Sequence, residues 1–187
     1  RVFDLVLAVV LGIPFLVLLP LLALLIKAGS SGPVLIKQRR IGEGGREFDL
    51  LKLRTMNEEA EAEGAQYTVP DDPRMTAVGR FLRATRLDEF PQLLNIARGE
   101  MSFIGPRPER TEFVLDLEGK IPHFRSRLLI KPGLTGWAQI REGYASTIPE
   151  ITRKLEYDLY YIKNRSIRLD LQILTSTFIT VLRRRGR

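Results

Sequence analysis

The longest apolar run in the chain comes near its start. From Leu5 to Ile26, LVLAVVLGIPFLVLLPLLALLI, 22 residues pass without a charge. As an α-helix rising about 1.5 Å per residue, such a run is roughly 33 Å long, enough to cross a bilayer core. Its length and the lack of a small-residue cleavage site after it set it apart from a signal peptide. Its apolar purity sets it apart from the buried helix of a soluble domain. Gly12, Pro14 and Pro20 lie inside it. Each proline deletes a backbone hydrogen bond and crowds the carbonyl one turn back, so a bend is expected. A bent helix can cross the membrane or dip in and return to the same face. Lys27, Lys37, Arg39 and Arg40 follow the run and put the rest of the chain on the cytoplasmic side. Arg1 and Asp4 ahead of it are too few to set the orientation alone.

After this segment the pattern changes. Two β-rich runs, Pro33 to Ile41 and Glu47 to Leu53, flank the glycine-rich turn Gly42 to Gly45 and predict a β-hairpin. NEEAEAEGAQ is an acidic, helix-favouring surface stretch that breaks at Gly64, and VPDDPRM is a proline-punctuated loop. In MTAVGRFLRATRL, Val78, Phe81 and Leu82 share one helical face while Arg80, Arg83 and Arg86 lie three apart on another. DEFPQLLNIARGEM predicts a short helix with Asp88 as N-cap, Pro91 in the first turn and Gly99 at the stop. SFIGPRPER and IKPGLTGWAQIREGY read as loops, the second carrying Trp137, the sole tryptophan. The remainder is largely helical: Tyr157, Tyr160 and Tyr161 cluster, and Leu171, Leu174 and Phe178 form a stripe ending in Arg183, Arg184, Arg185 and Arg187. That stripe fits core packing or an amphipathic helix at the membrane surface, and the N-terminal segment favours the second.

The predicted class is α+β, mainly helical with one small hairpin. An N-terminal membrane helix over residues 1–28 precedes one integrated unit over 29–187, with amphipathic interfacial helices. Composition narrows the chemistry. The chain has 187 residues and no cysteine, which removes disulfides, thiolate catalysis and cysteine-bound zinc. Its one histidine, His123, sits in no motif and reads as a surface or packing residue. A net charge of +7 points to anionic partners such as phospholipid headgroups or phosphorylated substrates. Aromatic-and-basic RNA motifs and zinc-finger spacings are missing, so nucleic acid is not favoured. Position 1 is arginine, so the chain is expected to be an excerpt of a longer protein.

The chemically suggestive stretch is TRLDEFPQLLNI, where Asp88 and Glu89 stand side by side behind Arg83 and Arg86. A carboxylate at a helix N-terminus among arginines is expected to have a lowered pKa and to stay ionised. It can attack an electrophile, bind a divalent metal, or simply cap the helix. Three basic presentations could converge on it. Arg83 lies about one and a half turns upstream. Lys52 and Arg54 share one face of a strand. Arg107, between Pro106 and Pro108, sits on restricted backbone that lowers the entropy lost when its guanidinium clamps an oxyanion. An acid among cations on a membrane protein points to phosphate chemistry, where Mg²⁺ and arginines offset charge repulsion.

Six blocks then carry a resemblance over nearly the whole chain: RVFDLVLAVV, GPVLIKQRRIG, FDLLKLRTM, DDPRMTAVGRFLRATRLDEFPQLLNIARGEMSFIGPRPE, KPGLTGWAQI and KLEYDLYYIKNRSIRLDLQIL. Together they resemble the bacterial sugar transferase family, monotopic polyprenyl-phosphate phosphoglycosyl transferases that start exopolysaccharide, O-antigen and glycoprotein glycan assembly. The resemblance implies transfer of sugar-1-phosphate from a UDP-sugar to polyprenyl phosphate with release of UMP, at the cytoplasmic face of the bacterial inner membrane. It implies Mg²⁺ and a covalent phosphosugar intermediate on Asp88, with Glu89 as its partner in holding the metal or handling the incoming phosphate. Lys52, Arg54 and Arg83 match basic positions around the diphosphate. Pro106, Arg107 and Pro108 match the element that meets the nucleotide. Gln139 and Arg141 are weaker candidates. The family's first helix is re-entrant and broken by a Ser-Pro pair, which implies a re-entrant, bent helix over residues 1–28 here and a cytoplasmic-face catalytic domain over 29–187, although no serine precedes Pro14 or Pro20. REGYASTIPE resembles the larger members of the family. Membrane lipid is an expected partner, and self-association as a homo-oligomer stays open. The rival class is a non-catalytic, membrane-anchored basic module holding anionic lipid or a partner assembly. A multi-span phosphoglycosyl transferase is disfavoured by the single apolar segment of spanning length.

Overall fold

The computed structural model describes every residue except 63, 65, 67, 68, 70, 71, 143, 144 and 183–187. Helix α1 (Val2–Gly29) contains 28 residues and runs uninterrupted through Pro14 and Pro20. Ala8, Phe15 and Leu22, spaced by two turns each, and Ile26 form its buried stripe. Leu7, Leu18 and Leu19 are half-buried against core side chains, and most of the other aliphatic side chains are open, Val17 to 81% and Leu24 to 70%. The stripe lies along the rest of the protein. Phe15 packs against Phe90 in a tilted pair, with ring centroids 5.2 Å apart. Leu22 and Ile26 pack with Leu53 and Leu82. At the other end Arg1 donates to the carbonyls of Ile96 and Ala97, each at 2.6 Å. Asp4 accepts from Ser102 Oγ at 2.9 Å and from the Phe103 N–H at 3.1 Å. Both ends of α1 are therefore fastened to one body.

Strands β1 (Leu35–Ile41) and β2 (Glu47–Leu53) form the predicted hairpin, antiparallel from Leu35 opposite Leu53 to Ile41 opposite Glu47. A tight turn over Glu43–Gly45 joins them, and the positive φ of Gly44 and Gly45, 67° and 79°, explains the glycines there. The acidic stretch gives only a short turn, Glu58–Glu61, with residues 63 and 65 outside the described set. Helix α2 (Ala77–Thr85) starts at Thr76, whose hydroxyl accepts from the Gly79 N–H at 2.9 Å. Its inward positions are Val78, Gly79 and Leu82; Phe81 is 50% exposed and does not share their face.

Helix α3 (Gln92–Arg98) follows and ends at Gly99, φ 84°, as the sequence predicts. Its N-cap is Pro91, with no side-chain cap, so Asp88 does not cap it. The segments read as loops contain two three-residue strands, β3 (Ser102–Ile104) and β4 (Gly133–Thr135), paired in parallel. Strands this short among glycines and prolines carry no alternation to find. Helix α4 (Thr111–Glu118) precedes β4, and α5 (Trp137–Arg141), α6 (Ile148–Lys163) and α7 (Ile167–Leu182) complete the chain. On α7 the buried residues are Leu169 and Ile173; Leu171 and Phe178 are 56% and 64% exposed. The predicted stripe is thus split: Leu174 is half-buried against the core while Leu171 and Phe178 are open, and its arginine terminus lies outside the described residues. One core joins the hairpin, α3, β3 and α7 through Phe48, Leu50, Ile96, Met101, Phe103 and Ile173. Asn95, fully buried, ties α3 to β2 by accepting from the Leu51 N–H at 3.0 Å and donating to the Asp49 carbonyl at 2.8 Å.

Candidate active site

Helix α2 stops because Arg86 takes a left-handed conformation, φ 60°, ψ 14°. That reversal, unusual for a residue with a Cβ, throws the chain into a single turn, Leu87–Glu89. Both acids sit in this turn and both are buried, Asp88 6% and Glu89 8% exposed. They are held very differently. Glu89 Oε1 accepts from Arg107 Nη2 at 2.7 Å and lies 3.4 Å from Arg86 Nη1. Asp88 Oδ1 is buried with no hydrogen-bond partner.

Electrostatics separate the pair further. Burial pushes Glu89 up, but Arg107 and Arg86 outweigh it and bring its pKa down to about 2. Asp88 goes the opposite way from the expected lowering. Burial, and then the charge of Glu89, raise it to about 6 against the pull of Lys52, Arg83 and Arg86. Asp88 does not cap α3, and burial is the largest influence on it. Lys52, on β2, is lowered to about 8, chiefly by burial and then by Arg83 and Arg40. One carboxylate is thus committed to arginines, while the other keeps a free lone pair and titrates close to neutrality.

The cations come from four places. Lys52 faces inward beside Ile36, on the hairpin face that also carries Gln38 and Arg40. Arg83 on α2 donates from Nε to Thr55 Oγ1 at 3.0 Å. Arg107 enters on the loop after β3, its raised pKa due first to Glu89. Arg40, which sequence reasoning missed, donates to the Pro108 carbonyl at 2.9 Å and to Gln38 Oε1 at 2.8 Å. Its signal was available: Gln38 and Arg40 occupy alternate strand positions on the face where a core would place aliphatics.

Three predicted residues lie elsewhere. Arg54 falls one residue beyond β2 and donates to the Ser30 carbonyl at 2.8 Å, at the end of α1, instead of meeting either acid. Arg141 stacks its guanidinium 4.2 Å over the Trp137 ring, which in turn stacks on Tyr160. Gln139 Nε2 is buried without a partner, and neither Gln139 nor Arg141 contacts Asp88 or Glu89. Pro106 and Pro108 are buried on either side of Arg107. They line a crevice with Arg107, Gly42, Leu128 and Pro132; Asp88 and Glu89 are not part of its lining.

No group of three or more His, Cys, Asp or Glu side chains is gathered for a metal among the described residues. The donor set still fits Mg²⁺. That ion commonly takes one or two carboxylates and completes its shell with substrate phosphate oxygens and water. Asp88, with its unpartnered Oδ1, and the adjacent Glu89 are the carboxylates that would hold such an ion.

Comparison with known proteins gives the family. The sequence matches the family model described as bacterial sugar transferase over residues 1–184. The chain belongs to the bacterial sugar transferase family. An Aeromonas hydrophila relative, a UDP-N-acetylgalactosamine-undecaprenyl-phosphate N-acetylgalactosaminephosphotransferase, is 44% identical over 178 residues, covering 95% of this chain and 42% of the relative. A Caulobacter vibrioides UDP-glucose:undecaprenyl-phosphate glucose-1-phosphate transferase is 42% identical, covering 97% of this chain and 69% of the relative. The exopolysaccharide production protein PSS of Rhizobium leguminosarum bv. phaseoli is 37% identical, with 98% and 93% covered. This family member therefore spans less than half of some relatives and nearly all of another.

Proposed function

We propose that the chain transfers sugar-1-phosphate from a UDP-sugar to polyprenyl phosphate, releasing UMP, through a covalent intermediate on Asp88. The observation that carries this reading is the division of the dyad: a buried carboxylate oxygen with no partner, next to a carboxylate locked by two arginines. In the first step an Asp88 oxygen attacks the phosphorus that bears the sugar. The bond from that phosphorus to the bridging oxygen breaks, and UMP leaves with the electron pair. In the second step a phosphate oxygen of the polyprenyl acceptor attacks the same phosphorus, and the Asp88 carboxylate leaves. Asp88 and Glu89 would hold Mg²⁺, which would supply positive charge to offset the negative charge that develops in the transfer. Arg107, Lys52 and Arg83 surround the oxygens with positive charge in a largely desolvated site, where such charge acts most strongly. Arg107 also keeps Glu89 ionised beside Asp88.

The two-step route suits a soluble donor and a membrane-bound acceptor, because UMP departs before the lipid docks. Membrane seating draws support from α1. It is 28 residues long, mostly exposed and apolar, and fastened at both ends to the same body. That fastening favours a helix that enters the bilayer and returns, with the site at headgroup height on the cytoplasmic face. Phe81 on α2 and Phe178 on α7 add exposed aromatics, and α2 packs against both α1 and α7. The relatives' names carry different sugars, glucose and N-acetylgalactosamine, which supports a UDP-sugar as the donor class without singling out one sugar.

The test is UMP release from a panel of UDP-sugars. We expect release that requires Mg²⁺ and polyprenyl phosphate for steady turnover, and that Asp88→Asn abolishes while the protein stays folded and membrane-bound. Turnover by Asp88→Asn above a trace, or no UMP with any donor, contradicts the reading. In the second case a non-catalytic anionic-lipid module takes its place.

A further inference from the structure

Four successive carbonyls of the segment 106–109 are each gripped by a separate donor. The Gly133 N–H binds Pro106 O at 2.9 Å, and the Ile41 N–H binds Glu109 O at 3.1 Å. Between them Arg127 Nη2 binds Arg107 O at 3.1 Å, and Arg40 Nη1 binds Pro108 O at 2.9 Å. Two backbone amides and two guanidiniums thus hold every peptide of the loop that carries Arg107. Loop rigidity alone does not require the guanidiniums. The prolines already fix φ at 106 and 108 and drive Arg107 extended, and main-chain donors are cheaper partners than buried cations.

Arg127 is 7% exposed and belongs to the turn Phe124–Leu129. The same Nη2 donates to Asp158 Oδ2 on α6 at 2.7 Å, and Nη1 lies 3.5 Å from Glu109 Oε1. Asp158 is 2% exposed, so the pair is sealed from water. Arg127 therefore joins α6, its own turn and the Arg107 main chain in one buried cluster. The hydrogen bonds and ion pairs of Arg127 and Asp158 do not include Asp88 or Glu89, and the direct link from this cluster to the dyad is the Arg107 main chain, whose side chain meets Glu89.

We infer that Arg127, anchored by Asp158, is a positioning residue: it fixes the Arg107 main chain so that the Arg107 guanidinium meets Glu89 at 2.7 Å. This rests on reading the dyad as a phosphoglycosyl transferase site. Arg107 reaches Glu89 on a long side chain, so a small tilt of its peptide moves the guanidinium off the carboxylate. A misplacement of about 1 Å at a reacting centre can cost on the order of a hundredfold in rate. Lysine at 127 keeps the charge but loses the planar fork that spans Asp158 and the Arg107 carbonyl together.

The test is a double-mutant cycle on UMP release, with thermal midpoints by circular dichroism as the folding control. Arg127→Lys is made in the wild type and in Arg107→Lys. We expect about a tenfold loss of turnover in the wild type and less than about twofold in Arg107→Lys, because a residue acting through Arg107 has nothing left to position. Comparable losses in both backgrounds mark a general structural role and overturn the inference. Unchanged turnover in the wild type overturns it too. If Arg127→Lys does not fold, Asp158→Asn, which leaves Arg127 in place, is read in the same cycle for the same pattern. Failure of the wild type to release UMP removes the site reading itself, whereas an active wild type with equal losses removes only the positioning role.

Discussion

Below pH 6 most Asp88 side chains hold a proton, and a protonated carboxyl is no nucleophile. Its folded pKa, about 6, lies above the ordinary value of 3.8 because burial and Glu89 outweigh the neighbouring cations. Activity that needs the ionised form is therefore full above about pH 7 and falls as pH drops through 6. The expected acid limb of kcat/KM for the UDP-sugar lies near pH 6 and drops about tenfold per unit below it, since kcat/KM reports groups of the free enzyme. A limb near pH 4 contradicts the assignment. Glu89 adds no limb in this range, because its pKa is held near 2. The sequence exposed the acids, Lys52, Arg83 and Arg107, which carry chemistry in their residue types and cluster in recognisable patterns. It hid the inverted pKa order. That order depends on which acid Arg107 reaches and on the left-handed Arg86 that makes the turn.

At the scale of elements, close backbone approach decides where the cations sit. A Cβ on Gly79 would fall within the Thr55 main chain, so α2 can lie against the end of the hairpin only with glycine there. Thr55 also receives Arg83 Nε and the Thr76 N–H, which ties the placement of Arg83 to that contact. Alanine improves helix propensity by about 1 kcal/mol, but overpacking costs about 1–3 kcal/mol, and the obstacle here is backbone, which yields least. Gly79→Ala is expected to destabilise the protein by about 1–2 kcal/mol and to lower turnover by moving Arg83. Thermal unfolding in detergent or nanodiscs reads the first effect, and a raised midpoint contradicts the account. The same logic explains the paired glycine-rich segments. Gly105, Gly133 and Gly136 leave no room for a Cβ between β3 and β4, which seats the Arg107 loop. A sequence shows such glycines but not which backbone each one meets, so the β3–β4 pair was not legible. The hairpin, with its long alternating strands, was.

Across the whole molecule, one long apolar helix and a basic body divide the work. The open aliphatic face of α1 and its fastening at both ends are what the proposed shallow seat in a bilayer rests on, and a net charge of +7 is consistent with the anionic headgroups and diphosphate donor of the proposed function. The apolar run was plain in the sequence because its hydropathy is unambiguous over 22 residues. The way α1 lies against the body was not plain, since Arg1 and Asp4 find partners about a hundred positions away in sequence. The central claim is that Asp88 becomes bonded to phosphorus, and the most direct measurement is mass spectrometry of the protein quenched after one turnover with a UDP-sugar and no polyprenyl acceptor. The account predicts one equivalent of UMP and a single sugar-phosphate on the peptide containing Asp88, lost on later addition of acceptor and not formed by Asp88→Asn. UMP released in the same quenched sample with that peptide unmodified would contradict it.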